Sequence, residues 1–393
     1  MIGNRVTFCF YEFYPSNIPY CHLLEYLVDY ALNDGRKVEV VTYRKDPESE
    51  SAMRRRFSSV KFRLIKKPFS SKGLCYVYFA LAIFFVLLRY GRGNIVIPTT
   101  PPIVMGLAAS VAKLLTFSRF RMIYHVQDIH PEITQLANKQ KKKLLMHLLK
   151  SLDTFTLLVA DRVVTLSRDM AGALTSRNKK IENKIQIVNN FYTGDLSGAS
   201  AESTKNVTQH DSARDSVTFV YAGNVGRYQN IDKLVRYFCY PFDFRAKLIV
   251  VGDGECLQRA KEVAAKYDKE KRISFTGRVS QSEAHQIIQK ADYGVVSLLP
   301  GLLRYAYPSK AISYLSNGTP LFVFADEDTD LGETIIEKNL GIITNTDDSA
   351  EFSSVVNEAC RVSVKYDRNN IRSIGRSIFG ARESIRKFYL SLE

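Results

Sequence analysis

The chain has 393 residues, 46% of them hydrophobic and 24% charged, with a formal net charge of +15. That length exceeds what one core usually reaches and predicts two domains, and the composition excludes a mainly disordered protein. The charge is one-sided: residues 1–195 carry 29 Lys and Arg against 15 Asp and Glu, a net of +14, while the remainder is close to neutral.

A basic domain of this kind predicts a polyanionic partner, either nucleic acid or an anionic membrane surface. No RNP-like, helix-turn-helix or zinc-finger pattern accompanies it, so no nucleic-acid partner is expected. Six scattered cysteines (Cys9, Cys21, Cys75, Cys239, Cys256 and Cys360) form no C-x-x-C pair, which fits a reducing compartment. The chain runs from Met1 directly into an apolar strand, Val6–Phe10, without the pattern of a signal peptide. The expected location is cytoplasmic, peripheral on the inner face of the plasma membrane.

In chain order, β-branched runs at Lys37–Thr42, Asn94–Pro98, Arg121–Val126 and Arg162–Leu166 read as strands separated by helical patterns. Between the first two lies Leu74–Leu88, an unbroken apolar run. As a helix it would span roughly 22 Å, short of a hydrocarbon core of about 30 Å, so a full membrane crossing is not expected. Two readings stay open: a helix buried in the domain, or one partly sunk in the membrane interface beside the basic residues Arg54, Arg55, Arg56, Lys61, Arg63, Lys66, Lys67 and Lys72.

The second half repeats the scheme with strands at Val217–Tyr221, Leu248–Val251, Ile273–Phe275, Tyr293–Ser297 and Leu321–Phe324. Strand and helix alternation predicts parallel sheets and an α/β fold. The stretch Thr193–Ser216 is rich in Ser, Thr, Asp and Gly and reads as a linker. The expected boundaries are therefore 1–195, a linker at 196–216, 217–376, and a C-terminal helix at 377–393 free to pack on either domain.

Several loops carry residue types suited to anion binding or catalysis. Gly223 and Gly226 follow a strand, where turns without side chains let backbone N–H groups approach a diphosphate, with Arg227 beside them as a phosphate cation. Pro308 and Ser309 precede a helical pattern, with Ser in a capping role and Lys310 placed to neutralise an anion; Arg304 lies just upstream. In the first half, YHVQDIHPE sets His125, Asp128, His130 and Glu132 just after a strand end, where α/β folds position ligands. Asp128 is the leading catalytic candidate, against a satisfied loop carboxylate; His125 reads equally as a strand histidine and His130 as a turn cap. The acidic run Asp326–Asp330 has D-x-D spacing but reads as a solvated loop, so no metal site is expected.

Four blocks in order, VTFVYAGNVGRYQNIDKLV, LIVVGDGECLQRAKEVA, ISFTGRVSQSEAHQIIQKADYGVVSLLP and YPSKAISYLSNGTPLFVF, resemble the nucleotide-sugar domain of the large retaining glycosyltransferase family of GT-B architecture, family 4 type. The first-half blocks DGRKVEVVT, NIVIPTTPP, RMIYHVQDIHPE, ADRVVTLSRDM and KIQIVNNFY resemble its acceptor-side domain, nearest the branch that builds O-antigen and capsule repeat units. The resemblance implies two facing Rossmann-like domains and transfer of a sugar, with retention, from a nucleotide-sugar to a lipid-linked (polyprenyl diphosphate) glycan. A UDP-sugar donor and no metal or other cofactor are the expectation.

The implied donor-binding set is Gly223, Asn224, Gly226, Arg227, Arg278, Arg304, Pro308, Ser309, Lys310 and Ser313; the catalytic set is Asp128, His125, His130 and Glu132. The pattern departs from the family at its two usual glutamates, here Tyr305 and Ser313, and at its usual phosphate Arg and Lys, here Asn224 and Gln229. The turn after the first strand, FYPSNIPY, is not glycine-rich. On this reading Arg227, Arg304 and Lys310 take over the phosphate charge. The alternatives are a catalytically weak glycosyltransferase-like binding subunit and a GT-B nucleotide-sugar epimerase.

Overall fold

The computed structural model describes residues 4–16, 18–100, 102–137, 143–193 and 216–392. The chain divides into two units, Met1–Thr193 together with Ala381–Glu393, and Gly194–Gly380. Apart from Ser216, the expected linker lies outside the described residues.

The first unit holds a seven-stranded sheet: β1 (Arg5–Cys9), β2 (Lys37–Tyr43), β3 (Lys61–Ile65), β4 (Gly93–Pro98), β5 (Phe120–His125), β6 (Arg162–Thr165) and β7 (Ile185–Ile187). All neighbours pair in parallel, in the order β3-β2-β1-β4-β5-β6-β7. The second unit holds β8 (Val217–Ala222), β9 (Ala246–Val251), β10 (Ile273–Gly277), β11 (Tyr293–Ser297), β12 (Leu321–Phe324) and β13 (Gly341–Thr344), again parallel, in the order β10-β9-β8-β11-β12-β13. Each is a doubly wound Rossmann-like sheet whose strand order reverses beside its first strand, between β1 and β4 and between β8 and β11. Ligands of such sheets bind beyond the carboxyl ends of the strands at that reversal.

Both cores follow from strands covered on two faces. In the second unit, Phe219 stacks on Tyr293 with ring centroids 5.1 Å apart, and Phe238, Phe322 and Phe352 close around them. In the first, Phe8, Phe10, Phe13, Leu24 and Val28 meet Ile385, Phe388, Tyr389 and Leu392 from the far end of the chain. The Tyr389 hydroxyl donates to the Leu27 carbonyl, Gln186 donates to the Lys387 carbonyl (3.0 Å), and Arg121 donates to the Leu392 carbonyl (3.0 Å).

The segment joining the first unit begins at Ala381, not at Ser377. Its predecessor, the helix Arg368–Ile378, stays with the second unit because Gly375 packs directly on the Leu315 backbone, where a Cβ would lie 2.6 Å from the Leu315 carbonyl.

The apolar run forms a 19-residue helix, Lys72–Tyr90, longer than the run itself. By length and composition it could cross a bilayer, yet Cys75, Phe79, Ala80, Ile83 and Leu87 are buried against the domain. Leu74, Val77, Tyr78, Leu81 and Phe85 face outward. The neighbouring helix Val104–Leu115 adds exposed Val111, Leu114 and Leu115, followed by Phe117, which is 96% exposed. Against that helix packs Lys143–Val159, with Leu144, Leu145 and Leu148 exposed.

Because Phe388 seals the first core, Phe388→Ala should destabilise that unit by about 3–5 kcal/mol, the usual loss for a buried Phe truncation. Urea unfolding followed by fluorescence or circular dichroism will measure it.

Candidate functional site

Three loops at the carboxyl edge of the second sheet are stitched together through their backbones. Gly223 N–H donates to the Val251 carbonyl (2.9 Å), Val225 N–H to Asp253 (2.9 Å), and Gly252 N–H to Gly277 (2.8 Å). Side chains are excluded from these contacts: a Cβ on Gly252 would strike the Gly223 carbonyl, and one on Gly254 would lie 2.5 Å from the Val225 carbonyl. Gly223, Gly252 and Gly254 have φ of 137°, 128° and 157°, a region L residues rarely adopt. The loops enclose a cavity of about 280 Å³ lined by Gly223, Asn224, Gly252, Asp253, Arg278 and Val279, among others.

Lys310 reaches this turn from the helix Ser309–Ser316. Its Cε lies 2.7 Å from where a Cβ on Gly223 would stand, and its Nζ is 4.7 Å from the centroid of the Tyr221 ring. Burial, with no carboxylate beside it, pulls its pKa down to about 8. Pro308 occupies the cap position and no side chain caps the helix; Ser309, expected as the cap, is its exposed first residue. Ser313 lies one turn further on, half-buried. Tyr314 anchors the helix to β8 by accepting the Ala222 N–H at 2.8 Å. Gly226 donates its N–H to the Gln229 side chain (3.1 Å), so Gln229 braces the turn at a position where a phosphate cation was looked for.

Two expected cations are already committed. Arg227 forms a bidentate pair with Glu255, Nε to Oε1 at 2.7 Å and Nη2 to Oε2 at 2.5 Å, and is exposed. Arg304 pairs with Asp328 at 3.2 Å, also in solvent. Each is matched in charge by an exposed carboxylate in this structure. Arg278 and Lys310 have no ion-pair partner among the described residues and stand at the glycine loops. In the D-x-D run, Asp326 accepts the Gly301 N–H (2.6 Å) and Thr329 caps the helix Asp330–Glu337. Among the described residues no group of three or more His, Cys, Asp or Glu is placed to hold a metal.

In the first unit the loop after β5 carries the predicted catalytic residues, and the structure separates their roles. His125 is buried between Tyr20 and Phe388. The Gln127 amide is oriented by a reciprocal pair with Asn190 (2.8 and 3.2 Å) and donates to His125 Nε2 at 2.7 Å. That arrangement leaves the ring proton on Nδ1, facing the Tyr20 hydroxyl at 3.1 Å. Desolvation lowers the His125 pKa to about 3. It is a neutral, fully bonded core histidine, not an acid or base.

Glu132 is likewise structural: Arg177 binds it through Nη2 at 2.5 Å and Nε at 3.1 Å, and Lys150 approaches at 3.3 Å. His130 faces Thr134 at 3.3 Å and gives its carbonyl to Arg177. Asp128 differs from all three. Its carboxylate has no hydrogen-bond or ionic partner among the described residues, and loss of hydration raises its pKa to about 6.

The fold and these loops define a class: two parallel-sheet Rossmann-like domains, the architecture of GT-B glycosyltransferases, with a glycine-built anion cradle in the second. Residues 202–376, most of the second unit, match the family described as glycosyl transferases group 1. A probable glycosyltransferase of Pseudomonas aeruginosa, WbjE, is 25% identical over 334 residues, 84% of this chain and 80% of that protein. Among solved structures, the apo lipopolysaccharide outer core galactosyltransferase WaaB superposes with a TM-score of 0.70 at 12% identity, covering 99% of both chains. Anabaena Alr3699/HepE in complex with UDP and glucose gives 0.67 at 13%, again covering 99% of both. Sucrose-phosphate synthase from Thermosynechococcus elongatus gives 0.69 at 14%, covering 98% of this chain and 97% of that one.

Sequence reading did not single out Gly252, Asp253, Gly254 or Val279, although a G-D-G directly after the apolar run Leu248–Val251 was a usable signal. Gly223→Ala should push Lys310 off its seat and weaken nucleotide binding by about 1.5–3 kcal/mol, the scale of a charged hydrogen bond. Arg227→Ala should leave affinity nearly unchanged; calorimetric titration with nucleoside diphosphate compares the two.

Lys310 also sets a pH dependence. It is cationic below about 8, so diphosphate affinity should hold through neutral pH and weaken as pH rises through that value, by up to about tenfold per unit. Lys310→Gln should flatten this profile in the same titration.

Proposed function

We propose that this chain transfers a sugar from a nucleotide-sugar donor, with retention, to a lipid-linked glycan at an anionic membrane surface, in lipopolysaccharide or related polysaccharide synthesis. The observation that carries the reading is the glycine cradle of the second unit with Lys310 half-buried above it and, among the described residues, no counter-ion beside that lysine. Such a site stabilises negative charge developing on a departing diphosphate, through the uncapped N–H groups at the start of the helix Ser309–Ser316 and a desolvated cation. A UDP-sugar donor is supported by the HepE structures, which hold UDP, UDP with glucose, and UDP-glucose.

Asp128 is the acceptor-side carboxylate: unpaired, partly desolvated and at a strand's carboxyl end. The lipid-linked acceptor and cytoplasmic membrane location are supported by the apolar face of the three first-unit helices, bordered by exposed Lys66, Lys67, Lys72, Arg89 and Arg92. The polysaccharide setting rests on the likeness to WbjE.

The test is a panel of nucleotide-sugars with purified protein and membrane-derived lipid-linked acceptor, monitored for released nucleotide. Release with one donor, dependent on acceptor, is the expected outcome. Nucleotide binding without release from any donor would favour the binding-subunit reading, and interconversion of the donor sugar without acceptor would favour the epimerase. Asp128→Asn should abolish most turnover. Since the group is ionised only above about 6, the wild-type rate should fall as pH drops through that value.

A further inference from the structure

The loop that presents Asp128 is held at both ends by side chains that bond its backbone. At its start, the buried Thr99 hydroxyl accepts two successive backbone N–H groups, from Gln127 at 3.1 Å and Asp128 at 3.4 Å. The Thr99 N–H in turn donates to the His125 carbonyl at 3.2 Å, tying the end of β4 to the end of β5.

At the loop's end stands Arg177, the last residue of the helix Arg168–Arg177, with its side chain only 1% exposed. It donates to Glu132 and also to the His130 carbonyl at 2.7 Å and to Asp153 at 2.5 Å. The other oxygen of Asp153 accepts the Tyr124 hydroxyl at 2.7 Å. One planar guanidinium thus joins the loop, the helix that follows it, the helix Lys143–Val159 and, through Asp153, strand β5. A buried cation between two carboxylates does little for stability compared with an apolar substitute, since desolvation offsets the attraction. Its distinctive property is direction, because the donors of a guanidinium are fixed in one plane. Burial raises the Asp128 pKa, and Arg177 meets this loop at the His130 carbonyl and Glu132, not at the Asp128 carboxylate.

We propose that Thr99 and Arg177 are positioning residues for sugar transfer, clamping the two ends of the loop so that the Asp128 carboxylate is held unpaired at the carboxyl edge of the first sheet. The proposal rests on the assignment of Asp128 above. A carboxylate with no bond of its own keeps its place only through the backbone that carries it, and a displacement of about 1 Å at a reacting group costs on the order of a hundredfold in rate.

The experiment uses the full chain with donor and lipid-linked acceptor. Arg177→Lys keeps the charge but cannot reach Asp153, Glu132 and the His130 carbonyl together. Thr99→Val nearly keeps the shape and removes the acceptor. Each should lower kcat by about 10- to 100-fold while donor KM and the affinity of the second unit for nucleoside diphosphate stay unchanged. Combined with Asp128→Asn, neither should add a further loss, the mark of residues acting through one group.

Unchanged kcat in both variants, donor KM moving together with kcat, or full additivity with Asp128→Asn would overturn the clamp while leaving the catalytic assignment standing. Full activity of Asp128→Asn alone would remove that assignment and the clamp with it. Should Arg177→Lys fail to fold, as judged by loss of its thermal transition, the Thr99→Val arm decides by the same readouts.

Discussion

The contact on which the second unit's chemistry depends is one backbone lying directly on another. Gly252 lies so close to the Gly223 carbonyl that a Cβ on it has no room, and a Cβ on Gly223 would meet the Lys310 side chain. The turn after β8 is fixed there, its Gly223 and Val225 amides taken by Val251 and Asp253, while Lys310 lies across Gly223 and Tyr314 takes the Ala222 N–H and fixes the helix that carries Lys310. Among the described residues no carboxylate neutralises a lysine in that place, and burial has weakened its hold on the proton.

The first unit answers a different demand. Its chemistry-bearing loop keeps one carboxylate free of partners by satisfying every neighbour. His125 is bonded through both ring nitrogens, Gln127 and Asn190 bond one another, and Glu132 is absorbed by Arg177. Four candidates that look alike in YHVQDIHPE therefore divide into three with side-chain or backbone partners and one carboxylate, Asp128, with none among the described residues.

Both sheets were legible because their central strands are covered on two faces and so read as dense β-branched runs. The strands absent from the expectation, β3, β7 and β13, all lie at sheet edges. There half the side chains meet solvent: β3 is Lys-Phe-Arg-Leu-Ile and β7 only Ile-Gln-Ile. Of the glycine loops, Gly223 and Gly226 were legible from their place after β8, and Lys310 and Asp128 fell where strand and helix ends placed them. The ion pairs did not. Nothing local in Arg227 or Arg304 reveals that Glu255 and Asp328 lie opposite, 28 and 24 residues away. Arg177, invisible as a site residue, acquires meaning only when three separate elements converge on it.

Phe388, Tyr389 and Leu392 carry one more consequence, for biosynthesis. These residues complete the core that starts at Val6, yet they leave the ribosome after the whole of the second unit. Vectorial synthesis thus finishes the second unit first, while the earlier-made one waits with Phe8, Leu24 and Val28 short of partners. For that interval the nascent first unit has an apolar core open to solvent, which the last helix closes.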